Sequence, residues 1–199
     1  MKKEGFTNKL RATLFGALTG NTGDVSGRPE AGVRDMLMAL GGPAKTKSGI
    51  NLTAAASQLG VTRRTVERWV TDAGERGKPR GKTLTNLVTK ARQSATTQAG
   101  RRRAVGRIRE TGGPGGSAIG RYGTKVSISG VQGPSVAGKD YLRQRRVHLD
   151  LDPDAVQGMW DAYEQGGDKA FVGWLENHAD QDYVGGWTFG SIDSLDLGQ

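Results

Sequence analysis

The chain has 199 residues, enough for one or two small domains, and carries 29 lysines and arginines against 20 acidic residues, a net charge of +9. It has no cysteine, which excludes a disulfide framework and cysteine metal sites, and its two histidines, His148 and His178, argue against a histidine-based metal or catalytic cluster. No apolar run approaches the roughly 20 residues that a bilayer span needs, and the opening MKKEGF has no apolar signal core, so a cytoplasmic protein with polyanionic partners is expected.

In chain order, Phe6, Leu10, Leu14, Phe15 and Leu18 can line one short helix, followed by the loop GNTGDVSG; residues 1–27 read as an N-terminal extension. Pro29 is expected to open a helix that runs to Leu40, with Val33, Met36, Leu37 and Leu40 on one face and Gly41-Gly42 ending it. Residues 52–70, LTAAASQLGVTRRTVERWV, read as a helix-turn-helix. Gly60 stands where the chain must turn through a left-handed conformation. Ala55, Ala56 and Leu59 precede it at helical spacing, and Ala56 is small enough for two helices to cross closely. Thr62 is a good N-cap for the second helix, which turns Val66, Trp69 and Val70 inward. The competing reading is a helical hairpin inside an ordinary all-α core.

The outer face of the second helix then holds Arg63, Arg64, Thr65 and Arg68, residue types that suit guanine edges, phosphate oxygens and thymine methyls. Thr62 sits at the start of that face. The loop GERGKPRGK adds Lys78 and Arg80; a helix over residues 83–95 follows, completing a helix-turn-helix domain over residues 28–97. RRRAVGRIR adds Arg101, Arg102 and Arg103, read as phosphate contacts along a helix or tail rather than as a merely solvated face.

Residues 98–139 are expected to be a basic, Gly/Ser-rich linker, with KVSIS as a short strand in an exposed hairpin or loop. GPGGS lacks the Gly-Lys-Ser/Thr ending of a nucleotide-binding loop. Residues 140–199 read as an acidic module with the order β-α-α-β. RVHLDLD is a strand, Asp152-Pro153 starts a helix that Gly166-Gly167 closes, Asp168 caps the next, and WTFGSIDSLDL is a terminal strand. Asp150, Asp152, Asp154 and Asp161 could hold a divalent ion, but surface acids and helix caps are the favoured reading, and no cofactor is expected. The fold class expected is α+β: a helical helix-turn-helix domain, a linker and a small α/β module.

The charge is uneven. Residues 1–146 carry 28 basic and 9 acidic residues, a net of +19; residues 147–199 carry one basic and 11 acidic, a net of −10. The basic part is expected to hold the polyanion, and the acidic part to bind protein partners or form a dimer seam.

The order of these segments resembles the telomere terminal proteins (Tpg-like) of Streptomyces-type linear chromosomes and plasmids. The likeness runs through residues 29–197, and its best local matches are AASQLGVTRRTVERWV and DPDAVQGMWDAYEQGG. It implies a protein primer rather than an enzyme: a nucleoid-associated DNA-binding protein whose Ser or Thr hydroxyl receives the first deoxynucleotide from a DNA polymerase and stays joined to the 5′ end. Telomeric DNA, the polymerase and telomere-associated replication proteins are the implied partners. The hydroxyl should be exposed and mobile, which points to Ser117, Thr124, Ser127, Ser129 and Ser135 in the Gly/Ser segment. Ser135, after Gly133-Pro134 and nearest the family's Pro-Gly-Thr priming region, is preferred; Thr124, just after RYG, comes second. This chain has no Pro-Gly-Thr triplet. The alternative is a helix-turn-helix transcriptional regulator or replicon-partition protein with an acidic dimerisation module.

Overall fold

The computed structural model describes residues 2–71, 77–111 and 116–198. It is of the α+β class, with the chain divided into two compact units, Met1–Ala104 and Val105–Gln199. The division falls inside a helix that the sequence assigns to the linker.

Unit 1 is helical: α1 (Lys2–Thr19), α2 (Val33–Gly41), α3 (Leu52–Leu59), α4 (Arg63–Thr71), α5 (Gly81–Thr96) and the first half of α6 (Gln98–Thr111). Its core gathers Phe15, Leu37, Leu40, Ile50, Ala55, Val66 and Leu87. The helix expected from Pro29 begins only at Val33, because residues 28–31 close a turn in which Ala31 N–H donates to the Arg28 carbonyl at 3.1 Å.

Residues 1–27 are not an appendage. Leu14, Phe15 and Leu18 of α1 are fully buried. The Asn21 amide donates to the Met38 and Ala39 carbonyls at 3.0 and 3.2 Å, and Asp24 N–H donates to the Asp35 carbonyl at 3.0 Å. These bonds tie the segment after α1 to α2, and the three apolar residues give it a share of the core.

Unit 2 holds the rest of α6, then α7 (Gly116–Tyr122), β1 (Thr124–Val136), β2 (Lys139–Asp140), β3 (Arg143–Leu151), α8 (Pro153–Asp182), β4 (Trp187–Phe189) and β5 (Ser194–Leu197). β1 is the central strand, antiparallel to every partner. It pairs with β3 from Thr124↔Leu151 to Gln132↔Arg143, and β2 continues that register through Val136↔Lys139. Along its other edge it pairs with β5 and β4.

The linker expected over residues 98–139 is therefore corrected: 13 of its residues form the longest strand of the sheet. Val126, Ile128 and Gln132 alternate inward, and the glycines serve close approach rather than flexibility. A Cβ on Gly130 would run into the Ser191 carbonyl.

α8 covers the apolar face of the sheet with Val156, Met159, Trp160, Tyr163, Phe171, Leu175 and Ala179. Asp152 caps it, Oδ1 accepting from Ala155 N–H at 2.7 Å, with Pro153 behind it. The break expected at Gly166-Gly167 falls at Gly167, whose φ of 67° and ψ of −149° join two helices without a loop. Among the described residues no helix is long and apolar enough to cross a membrane.

Candidate nucleic-acid interface

The α3–α4 corner is built by local bonds. Asn51 caps α3, its side chain accepting from Ala54 N–H at 3.0 Å. Gly60 ends α3 in the left-handed region with φ 67° and ψ 32°. Its N–H donates back to the Ser57 carbonyl at 3.3 Å, and that of Val61 to the Ala56 carbonyl at 3.1 Å. Thr62 then starts α4, its hydroxyl accepting from Thr65 N–H at 3.2 Å. Gln58 fastens the corner to α2 by donating to the Leu40 carbonyl at 2.8 Å.

The corner sets the two faces of α4. Val66 is fully buried, and Val61, Trp69 and Val70 pack partly buried against the core. Thr62, Arg63, Arg64, Glu67, Arg68 and Thr71 are exposed; Thr65 is half-buried, with its hydroxyl 2.9 Å from that of Thr62. None of the three arginines makes an ion pair among the described residues. Arg64 and Arg68 stand four residues apart on one face, a like-charge pairing that costs an isolated helix about 0.2–0.5 kcal/mol. An anion laid across the face would reverse the sign of that term.

Further cations border α4. A groove of about 590 Å³ runs beside it, between Arg63 and Glu67 on one wall and Arg34 and the loop of residues 44–48 on the other. Arg34 donates to the Ser48 carbonyl, and Pro43 and Ile50 bridge the loop's ends. Lys45 and Lys47 project from it exposed. Sequence reading missed this rim, although PAKTKSG, with two lysines between Gly-Pro and Gly, carried the signal. Lys78 and Arg80 are exposed ahead of α5, while residues 74–76 of the same basic loop lie outside the described residues.

Of the three consecutive arginines, Arg102 and Arg103 are exposed on α6. Arg101 is 7% exposed, and its Nη1 lies 3.4 Å from the Ala95 carbonyl. Its expected role as a phosphate contact is corrected: the guanidinium serves the α5–α6 junction. That junction is close-packed, since a Cβ on Gly100 would meet the Gln93 carbonyl. Thr97 caps α6 there, accepting from Gly100 N–H at 3.1 Å.

The hydroxyls expected on a mobile linker are strand residues instead. Ser135 N–H donates to the Gly186 carbonyl at 2.7 Å, and its Oγ donates to Asp140 Oδ1 at 2.6 Å. Thr124 begins β1 opposite Leu151, and its hydroxyl donates to the Gly198 carbonyl. The mobility expected of both is absent, because β1 pairs along both edges. Ser129 Oγ accepts from Arg146 Nε at 3.1 Å. Ser127 Oγ lies 2.8 Å from His148 Nδ1 across the β1–β3 pair, on the sheet face opposite α8. The Ser117 side chain lies outside the described residues.

The four carboxylates named from sequence have separate tasks. Asp152 caps α8, Asp161 pairs with Arg109 at 2.8 Å, and Asp150 lies 3.5 Å from Lys125. Among the described residues, no three acidic or histidine side chains gather as a metal site. Asp154 is exposed in the first turn of α8, and His178 stacks on Trp174 with ring centroids 5.0 Å apart. No protein-family model, no curated protein and no solved structure matches this chain.

Proposed function

We propose that this protein binds DNA through α4, with Arg63, Arg64 and Arg68 facing the duplex and Lys45, Lys47, Lys78 and Arg80 on flanking phosphates. The observation that carries the reading is the division of α4: one fully buried valine anchors it, and three arginines with no acidic partner among the described residues occupy its exposed side. A helix presented this way suits the major groove. Fluorescence anisotropy with a labelled duplex tests it. Arg64→Ala is expected to weaken binding, and unchanged affinity and salt dependence would reject α4 as the contact.

Within that reading, the order of segments supports a terminal protein that primes DNA synthesis at the end of a linear replicon. Ser127 is then the best acceptor, because a base stands beside it. Its Oγ would attack the α-phosphorus of a deoxynucleoside triphosphate. An O–P bond forms, the bond to the β-phosphate breaks, pyrophosphate leaves, and the hydroxyl proton passes to His148 Nδ1. The polymerase supplies the remaining chemistry. Incubation with labelled deoxynucleotide, a polymerase extract from a host with linear replicons and telomeric template should label the protein. No label on the wild type rejects priming; label that survives Ser127→Ala rejects only this residue. Ser127, like Ser135 and Thr124, lies in β1, which pairs along both edges, and this favours, as the second reading, a DNA-binding regulator or partition protein that would take no label.

A further inference from the structure

Unit 2 carries 9 basic and 13 acidic residues, yet four of the nine, Lys139, Arg143, Arg145 and Arg146, fall within eight positions at one end of the β1–β3 ribbon. The one acid among them, Asp140, accepts the Ser135 hydroxyl. The ribbon closes through a two-residue turn, Ala137 and Gly138, with φ of 53° and 76°. Positive φ at both positions matches the twist of a tight hairpin and makes a stiff tip. Arg145 donates to the Tyr141 carbonyl at 3.1 Å and lies over the Trp187 ring at 5.5 Å; Tyr141 N–H donates to the Pro134 carbonyl at 3.0 Å. The backbone of Tyr141 is thus held, while the residue is 46% exposed. Lys139 and Arg143 flank it, exposed and without an ion pair among the described residues.

We propose that this ribbon end is a second nucleic-acid contact, for a single strand: Lys139 and Arg143 take phosphates, and the Tyr141 ring is a platform for an unstacked base. A duplex offers phosphates but keeps its bases stacked, and an acidic peptide would satisfy the cations but leave the ring unused. A cationic track with an exposed, backbone-anchored aromatic fits a strand whose bases are open. The site is separate from α4 and does not depend on the priming chemistry.

Anisotropy with the full chain and an oligo-dT of about 20 nucleotides tests it, repeated in an Arg64→Ala/Arg68→Ala background so that α4 does not mask the result. Lys139→Ala/Arg143→Ala is expected to weaken oligo-dT binding and to flatten the slope of log K against log salt by about 1.4, at roughly 0.7 per phosphate contact on a single strand. Tyr141→Ala is expected to lose about 5- to 140-fold in affinity at little change in slope, and Tyr141→Phe to keep most of it. Circular dichroism and the thermal midpoint should stay unchanged in all of them. Oligo-dT affinity that survives both the cation and the tyrosine variants overturns the proposal. So does a polyglutamate competitor as effective as oligo-dT per charge. If the α4 variants keep duplex binding while the ribbon variants lose oligo-dT binding, the reading of α4 fails and this one stands.

Discussion

Removing all three arginines of α4 separates a DNA-contacting helix from a merely solvated one. Arg63, Arg64 and Arg68 are exposed and carry no ion pair among the described residues, so Arg63→Ala/Arg64→Ala/Arg68→Ala removes three charges without opening a cavity or orphaning a partner. Exposed substitutions of this kind change stability by about 0.5 kcal/mol or less each. If all three reach phosphates, the slope of log K against log salt on a duplex falls by about 2.7, at roughly 0.9 per contact. Raising salt fourfold, from about 50 to about 200 mM, would then weaken the variant about 40-fold less than the wild type. An arginine on a guanine edge instead costs about 1–3 kcal/mol, shown as lost preference for one sequence over another. The assay is a salt titration by anisotropy on two duplexes of different sequence, with the thermal midpoint as the control for folding. A variant that folds normally and keeps both affinity and slope refutes the argument, whichever groups the arginines were assigned to.

Val66→Ala removes two methyl groups from the one fully buried position of α4 and is expected to cost about 2 kcal/mol in a urea titration, counting transfer and cavity terms. Gly60→Ala and Gly100→Ala should differ sharply. Gly60 has nothing within 4 Å of an added Cβ, so only its left-handed backbone is penalised, by about 1 kcal/mol. At Gly100 the Cβ meets backbone, so the α5–α6 junction must move and the loss should be clearly larger, a ranking that thermal denaturation checks. Asp152→Ala deletes the α8 cap and should lower stability by about 1 kcal/mol, with Asp152→Asn recovering most of it.

Helix signals were readable because they are local. The buried positions Leu37, Leu40, Ala55, Leu59 and Val66, the turn at Gly60 and the caps at Thr62 and Asp152 follow from spacing and residue type over a few positions. β1 is hard to see in the sequence for the opposite reason. Its stretch GVQGPSV has few apolar side chains, and what makes it a strand lies elsewhere in the chain: β3 on one edge, β4 and β5 on the other. A residue such as Gly130 looks like flexibility until the Ser191 carbonyl that requires it is known. Arg101 departs from its expected role for a local reason. Three consecutive arginines on a helix point about 100° apart, so they cannot all face one groove. Periodicity points to Arg101 as the one that turns inward, because it stands three, four and seven positions before the buried Ala104, Val105 and Ile108.

The fold also redraws the electrostatics. Divided after residue 146, the chain is +19 and −10; divided by its compact units, it carries 20 basic and 7 acidic residues in unit 1, a net of +13, and a net of −4 in unit 2. The difference is the set of cations between residues 105 and 146, which belongs with the sheet. Five of those eight cations show two fates. Lys125, Arg109 and Arg146 sit within 4.0 Å of carboxylates and are spent on structure. Among the described residues, Lys139 and Arg143 have no such partner. A net charge of −4 averaged over unit 2 therefore hides a dipolar arrangement: acids along α8, open cations at the turn of the ribbon. Within a Debye length of about 8 Å at physiological salt, a strand near the turn meets those cations rather than the average. Net charge by unit is thus a poor guide to where this protein presents open cations.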